Sequence, residues 1–170
     1  MRKILYVIAQ QNFHDKEFKI PKEIFEAEGF KVMVASITTD QAVGTFGLRI
    51  KPDIAIIDVN PNDFDALVIA GGIGAPKLAD YPEVLNLIRV FAAQNKPVAA
   101  ICIAGYILCK AGILKGRRAT VYPADFALTE FRREGVIYSD EEVVVDGKIV
   151  TANGPTAART FAEQIVKLLK

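Results

Sequence analysis

The sequence has little of what several functional classes depend on. Its 170 residues include two cysteines, one histidine and no tryptophan, and 21 basic against 20 acidic residues leave a formal charge of +1. Such a chain lacks the basic stripe that attracts nucleic acid or an anionic membrane surface. The paired arginines at 117–118 and 132–133 are expected to be solvated surface. The composition therefore predicts neither a nucleic-acid partner nor a membrane partner.

Long apolar runs are also missing. No run reaches the ~20 residues that span a bilayer, and the apolar stretch at residues 4–9 is too short for an export signal and precedes polar residues. Two cysteines without an export signal favour the reducing cytoplasm. Cys102 and Cys109 would stand about 10 Å apart along a helix, too far for a disulfide.

Short β-branched runs alternate with helical patterns along the whole chain. Four runs are apolar on both faces, which is typical of parallel strands covered by helices on both sides: 4–9, 32–36, 66–70 and 98–102. Helical spacing of apolar residues predicts four helices: 18–29, 84–92, 103–111 and 156–169.

Two stretches interrupt that alternation. Residues 48–50 and 54–59 predict an antiparallel excursion at a sheet edge, and residues 143–150 predict a β-hairpin whose Asp146-Gly147 supplies the positive φ angles of a tight turn. The sequence as a whole predicts one doubly wound, flavodoxin-like α/β domain over residues 1–170, with a mostly parallel sheet.

The run at residues 98–102 passes directly from strand to helix, with Cys102 at the junction. Ala100 and Ala104 flank it, and a sharp strand-to-helix turn needs such small residues because the backbones approach closely. The helix dipole and unpaired amides there favour a thiolate. Cys102 is thus a candidate nucleophile, the alternative being an inert core cysteine. Cys109, in mid-helix among apolar residues, is expected to be inert.

A glycine turn follows the third run, at Gly71-Gly72-Ile73-Gly74. Its backbone can present N–H groups to a ligand. It has neither the glycine order of a dinucleotide site nor the lysine of a P-loop, so no cofactor is predicted, and no metal. Beside Cys102 it fits half of an oxyanion hole, with the amide of Ile103 as the other half; the alternative is a plain loop turn.

Two further strand-to-helix loops are expected at the same edge of the sheet. His14 is the only histidine, so any Cys–His catalysis must use it; otherwise it and Asp15 cap or solvate a helix start. Asn153 precedes the last helix and is either a ligand contact or a helix cap.

The chain resembles the ThiJ/PfpI family of the class I glutamine-amidotransferase-like superfamily. The matching motifs follow one another along the chain: F-x-D-x-E-x-x-x-P from Phe13, V-I-A-G-G from Val68, A-A-I-C from Ala99, A-G-I-L-x-G-R from Ala111 and V-V-V-D-G from Val143. They extend over essentially the whole chain. The resemblance implies the doubly wound fold and a homodimer or larger homo-oligomer.

The resemblance also implies roles for individual residues. Cys102 would be the reactive cysteine on a nucleophile elbow, Glu17 the acid facing its sulfur, and the amides of Gly72 and Ile103 the oxyanion donors. Because a carboxylate beside a thiolate would raise both pKa values, Glu17 is expected to be protonated, to donate to the sulfur and to titrate with Cys102 as a unit.

This chain differs from the family's usual residues at several positions. Proteolytic members have His directly after the Cys, where this chain has Ile103. They also use an acidic residue from a neighbouring subunit, and the matching position in this chain is Lys77. Glyoxalase-like and deglycase-like members often carry His at the position of Tyr122, whose reference pKa of about 10 suits a hydrogen-bond donor better than a base at neutral pH. We expect Tyr122 in the pocket. His14, Gly71 and Asn153 are expected there too.

These features support three hypotheses. The leading one is a cysteine-dependent enzyme that acts, by glyoxalase- or deglycase-type hydrolysis, on small electrophilic carbonyls, either free or as protein adducts. The second is a redox-responsive stress or chaperone-like protein whose Cys102 is oxidised without turnover. The third, an oligomeric intracellular cysteine peptidase, is disfavoured because Ile103 cannot act as a base.

Overall fold

The four doubly apolar runs form neighbouring parallel strands at the centre of one sheet. The computed structural model describes residues 1–170. Its strands are, in chain order, β1 (Lys3–Val7), β2 (Gln11–Phe13), β3 (Lys31–Ser36), β4 (Ala42–Gly44), β5 (Arg49–Ile50), β6 (Ile54–Ala55), β7 (Ala66–Ile69), β8 (Val98–Ile101), β9 (Arg118–Ala119), β10 (Ile137–Tyr138), β11 (Val143–Asp146) and β12 (Ile149–Ala152).

Five α-helices and several short 3-10 helices connect these strands. The α-helices are α1 (Asp15–Ala27), α2 (Pro82–Ala93), α3 (Gly105–Lys110), α4 (Asp125–Arg133) and α5 (Ala158–Leu169). The 3-10 helices are Ile56–Asp58, Pro61–Asp63, Ala75–Asp80, Cys102–Ala104 and Pro155–Ala157. No helix is both long and apolar enough to cross a membrane.

The main sheet has seven strands in the order β11-β12-β8-β7-β1-β3-β6, and only β11 runs antiparallel to its neighbour. The chain moves from β1 to β3 through α1, and in the opposite direction from β7 to β8 through α2. Since parallel crossovers are right-handed, the two helices lie on opposite faces. The predicted α/β fold with a mostly parallel sheet is confirmed.

The strand order reverses beside β1, whose neighbours are β7 and β3. Ligands of open α/β sheets bind beyond the carboxyl ends of the strands at such a reversal. The loops that follow β1, β7 and β8 therefore meet there, above a continuous core in which strands β1, β7 and β8 are almost entirely inaccessible to solvent.

The predicted antiparallel excursion at the sheet edge is divided between the main sheet and a smaller, three-stranded sheet. Residues 48–50 and 54–59 do not pair with each other. Instead β5 pairs antiparallel with β4, which pairs parallel with β2, whereas β6 pairs parallel with β3 and leads into a 3-10 helix. The predicted hairpin is confirmed as β11 and β12, but only Gly147 has a positive φ, at 60°, because Asp146 is the last residue of β11 and pairs with Ile149.

Candidate active site

Cys102 sits on a sharp turn between β8 and the helix that follows. Its backbone has φ 61°, in the left-handed region that non-glycine residues rarely adopt. The turn is tight because α3 begins close to another segment: a Cβ at Gly105 would lie 3.1 Å from both the carbonyl oxygen of Thr120 and the side chain of Val121. The strained turn directs the thiol beyond the carboxyl end of the sheet, which is the geometry of a nucleophile elbow.

The glycine turn after β7 lies directly against this elbow. Gly72 has φ 111°, and a Cβ there would collide with the backbone of Asn12 and His14. A Cβ at Gly71 would collide with the Glu17 carboxyl and the Cys102 side chain. Because of these collisions, only glycine fits at these two positions. The absence of side chains there allows the loops after β1, β7 and β8 to converge.

Main-chain hydrogen bonds join the same loops. The His14 N–H donates to the carbonyl of Gly71 at 2.9 Å, and the Gly74 N–H donates to the carbonyl of Asn12 at 3.0 Å. The Gly72 N–H donates to no backbone carbonyl. Ile103 is the second residue of its 3-10 helix, where an N–H has no acceptor within the helix. Both amides lie close enough to the Cys102 sulfur to lower its pKa.

Glu17 lies in the first turn of α1 and is completely inaccessible to solvent. Neither of its carboxyl oxygens has a well-formed hydrogen bond. Burial raises the pKa of Glu17 from 4.5 to about 7, although the nearby Cys102 thiol and Gly71 amide act in the opposite direction. A carboxyl with this pKa exchanges a proton readily at neutral pH.

The backbone of Glu17 is held by an unusual contact inside α1. Pro21 stands four residues after Glu17 and has no N–H, so it cannot donate to the Glu17 carbonyl as a helical residue normally would. The phenol of Tyr6, on β1, donates to that carbonyl instead. Burial raises the pKa of Tyr6 well above 10.0, so the phenol keeps its proton. The position of Glu17 is thereby tied to the central strand.

Burial also dominates the electrostatics of the thiol. It raises the pKa of Cys102 from 9.0 to about 12, the charge of Glu17 adds to the effect, and the amides of Ile103 and Gly72 oppose it. Burial therefore opposes the thiolate that the helix N-terminus favours, and the ionisation of Cys102 stays a prediction.

His14 has a structural role beside the candidate site. It is the N-cap of α1, and its Nδ1 accepts the Glu17 N–H at 3.4 Å. Burial lowers the pKa of His14, so the ring is neutral at pH 7. Asp15 does not cap the helix; its carboxylate accepts the N–H groups of Phe46 and Leu48 at 3.0 and 2.8 Å. This contact fixes the loop between β4 and β5 beside the pocket.

A cavity of about 520 Å³ opens above Cys102. Its wall comes from six separate stretches of the chain, and most of the lining groups are apolar or aromatic. The residues that line it are His14, Thr45, Phe46, Gly72, Ile73, Pro76, Cys102, Ile103, Tyr122, Ala124, Phe126 and Pro155.

Of the residues predicted for the site, the pocket wall contains Cys102, Gly72, Ile103, His14 and Tyr122. Glu17 and Gly71 lie beneath the wall instead, in contact with the side chain of Cys102.

Asn153 neither lines the cavity nor caps a helix. Its N–H donates to the carbonyl of Glu142, and Gly154 is the N-cap of the following 3-10 helix. The prediction for Asn153 is therefore wrong, because the chain turns at Gly154 and brings Pro155 to the pocket wall.

Sequence reasoning missed the aromatic part of the wall. Phe46, 72% exposed, lies in a loop, and Phe126, 49% exposed, lies at the start of α4, a helix that the apolar spacing did not predict. The sequence signal for each of them was a large apolar residue in a polar stretch. This signal alone does not distinguish a residue that lines a pocket from an ordinary surface residue.

The fold and this site define the class of protein to which the chain belongs. A model of the DJ-1/PfpI family matches residues 2–168, so the chain is a member of that family.

Individual relatives agree with the assignment. An uncharacterized protein of Methanocaldococcus jannaschii is 44% identical over 99% of this chain and 82% of its own length. The deglycase PfpI of Pyrococcus furiosus is 36% identical over 99% of both chains. A glutathione-independent glyoxalase of Caenorhabditis elegans is 30% identical over 98% of this chain and 88% of its own. The crystal structure of a ThiJ/PfpI domain protein from Brachyspira murdochii superposes with a TM-score of 0.94 at 38% identity, over 98% of this chain and 95% of that one.

Proposed function

We propose that the protein is a cysteine-dependent enzyme of the glyoxalase or deglycase type, acting on small electrophilic carbonyl compounds. One observation carries the proposal: the Cys102 sulfur lies at the floor of a cavity, in contact with a buried carboxyl and beside two amide donors. The names of the relatives in Pyrococcus and Caenorhabditis agree with this chemistry.

The first step is addition of Cys102 to the aldehyde carbon of a 2-oxoaldehyde. As the S–C bond forms, the thiol proton passes to the Glu17 carboxylate, so no preformed thiolate is required. The aldehyde oxygen becomes an alkoxide, which the amides of Gly72 and Ile103 stabilise. Glu17 then returns the proton to this oxygen and completes a hemithioacetal.

The second step moves a proton between neighbouring carbons. The Glu17 carboxylate removes the proton from the former aldehyde carbon and delivers it to the adjacent ketone carbon, while the hydroxyl proton on the former aldehyde carbon passes to the former ketone oxygen. The product is the Cys102 thioester of a 2-hydroxy acid. Water then cleaves the thioester and restores the thiol. The net reaction adds one water to the oxoaldehyde, and the pKa of Glu17 near 7 suits both directions of proton transfer.

The other two hypotheses fit the geometry less well. A peptidase needs a base beside the thiol, but Ile103 follows Cys102 and the Nδ1 atom of His14 is engaged by the Glu17 amide. Redox-sensing cysteines have lowered pKa values, whereas burial raises the pKa of Cys102.

The assembly of two or more copies, which the family resemblance implies, stays a prediction. Light scattering over a range of protein concentrations would test it, and a mass equal to one chain of 18.6 kDa at every concentration would contradict it.

The proposed activity is tested by measuring lactate formed from methylglyoxal. We expect product from the unaltered protein, none above background from Cys102→Ala, and nearly full activity from the matched control Cys109→Ala. Equal and negligible rates for all three proteins would overturn the proposal.

A further inference from the structure

The wall of the cavity above Cys102 carries no charged side chain. None of the lining residues is Lys, Arg, Asp or Glu. The one lining imidazole, His14, has a pKa lowered by burial and is neutral at pH 7. A carboxylate or phosphate on a substrate would therefore lose its hydration without gaining a cation, and a guanidinium or ammonium would find no carboxylate on the wall.

The cavity is also larger than a three-carbon substrate needs. A volume of about 520 Å³ lies within the range of pockets that enclose drug-sized ligands. Methylglyoxal would leave most of this space to water, whereas a substituent larger than methyl would cover apolar wall.

Two aromatic side chains form parts of the wall from separate elements. Phe46, in the loop between β4 and β5, has its ring 5.4 Å from that of His14 in an edge arrangement. Phe126, at the start of α4, has its ring 5.1 Å from that of Tyr106, also edge-on. These contacts restrict both rings while leaving each of them at least 49% exposed. They are thus placed to contact a planar group attached to the reacting carbonyl.

We infer that the pocket selects uncharged 2-oxoaldehydes carrying an aryl or bulky alkyl group, with Phe46 and Phe126 as specificity-determining residues. The inference rests on the proposed function, and it disfavours charged adducts of arginine and lysine side chains as substrates. The substituent would lie along the apolar wall while the aldehyde carbon faces the Cys102 sulfur.

The first test compares kcat/KM for phenylglyoxal, 4-carboxyphenylglyoxal and methylglyoxal, measured as the 2-hydroxy acid formed. We expect phenylglyoxal to exceed each of the other two by about tenfold, the scale on which an apolar pocket discriminates. In the double variant Phe46→Ser/Phe126→Ser the preference for phenylglyoxal over methylglyoxal should fall to less than about threefold.

Ile57 supplies a matched control. It is 77% exposed and lies away from the cavity, so Ile57→Ser removes an exposed apolar side chain without altering the wall. This variant should keep the full preference for phenylglyoxal. Equal kcat/KM for phenylglyoxal and methylglyoxal in the unaltered protein, or a preference unchanged in the double variant, would overturn the inference.

A second measurement separates this inference from the proposed enzyme activity. Phenacyl bromide and bromoacetone alkylate a thiol in the same way: the S–C bond forms, bromide leaves and the thiol proton passes to solvent. Their rate ratio on Cys102, followed by intact-protein mass spectrometry, is divided by their rate ratio on glutathione.

We expect this normalised ratio to be about tenfold in favour of phenacyl bromide, and to approach one in the double variant. Selective alkylation without turnover of any oxoaldehyde would overturn the proposed function and support the aryl preference of the pocket. Turnover accompanied by a normalised ratio near one in the unaltered protein would support the enzyme and overturn the preference.

Discussion

Cys102 and Cys109 share one stretch of chain and have similar surroundings by several measures. Both are buried, at 9% and 1% exposed, and burial raises the pKa of each thiol from 9.0 to about 12. A carboxylate adds to the effect in each case, Glu17 for Cys102 and Glu130 for Cys109. A raised thiol pKa therefore does not distinguish a candidate nucleophile from a structural cysteine in this protein.

The backbone and the nearby carboxyl groups do distinguish them. Cys102 has a positive φ and faces a cavity, whereas Cys109 lies inside α3 and lines none of the main pockets. Glu130 is paired with Lys110 at 3.7 Å and Arg133 at 3.0 Å, but Glu17 has no cationic partner. The comparison teaches that candidate reactivity here depends on access and on a nearby unpaired carboxyl.

The largest expected difference between the thiols is in their alkylation. At pH 7.5 iodoacetamide should modify Cys102 at least ~10³-fold faster than Cys109, because Cys109 becomes accessible only when its helix opens. Peptide mapping by mass spectrometry after timed quenching measures both rates in one sample. Comparable rates at the two sites would remove the distinction.

The carboxyl groups of Glu17 and Glu130 should differ in their effect on the stability of the folded protein. The pKa of Glu17 is higher in the folded protein, about 7, than its ordinary 4.5, so the folded state loses stability as the pH rises through this interval. Glu17→Gln, which cannot ionise, should be more stable than the unaltered protein by up to about 3 kcal/mol at pH 8, with little difference at pH 4. Urea unfolding at both pH values measures this.

Glu130→Gln is the control for that prediction. Because it removes a carboxylate that has cationic partners, it should give no stabilisation at pH 8. A gain in the free energy of unfolding for Glu130→Gln equal to that for Glu17→Gln would contradict the assignment of the effect to an unpaired buried charge.

Glu17→Gln should also change the pH dependence of Cys102 alkylation. If the Glu17 carboxylate accepts the thiol proton, the rate in the unaltered protein rises with pH through about 7, where Glu17 ionises. The variant should lose this inflection and react about tenfold more slowly at pH 7.5. An unchanged profile would show that Glu17 takes no part in activating the thiol.

The smallest expected effect is that of Cys109→Ala on stability. Loss of one buried sulfur should lower the free energy of unfolding by about 1 kcal/mol and leave any oxoaldehyde turnover within twofold. Thermal unfolding and initial-rate measurements on the same sample provide the check. A large loss of turnover at unchanged stability would give Cys109 a role that its position in α3 does not explain.

Much of the architecture could be predicted from the sequence because the strongest signals are local. The apolar runs of β1, β3, β7 and β8 and the hairpin turn at Gly147 all appear where the patterns place them. The helix α4 was not predicted, because only one of its faces packs inward while Phe126 and its arginines are exposed. Pairings such as β9 with β10 involve two residues each, too few to leave a pattern.

The candidate site was predictable only in part. The junction at Cys102 and the glycine turn have local signatures, whereas the partnership of Glu17 with Cys102 joins residues 85 positions apart and was implied by the family resemblance alone. The ionisation of the thiol could not be predicted from sequence, because the helix dipole can be inferred there but the burial that raises the pKa of Cys102 depends on how the loops pack.

The bond from Tyr6 to the Glu17 carbonyl has a consequence for how such chains can change over time. A proline within a helix costs about 3 kcal/mol or more and leaves a carbonyl without its usual donor, and here a phenol from a strand fills that place. Replacing Pro21 alone makes the phenol superfluous, and replacing Tyr6 alone leaves a buried acceptor unpaired. We therefore expect the two positions to covary in descendants of this sequence, as a matched pair separated by fourteen residues.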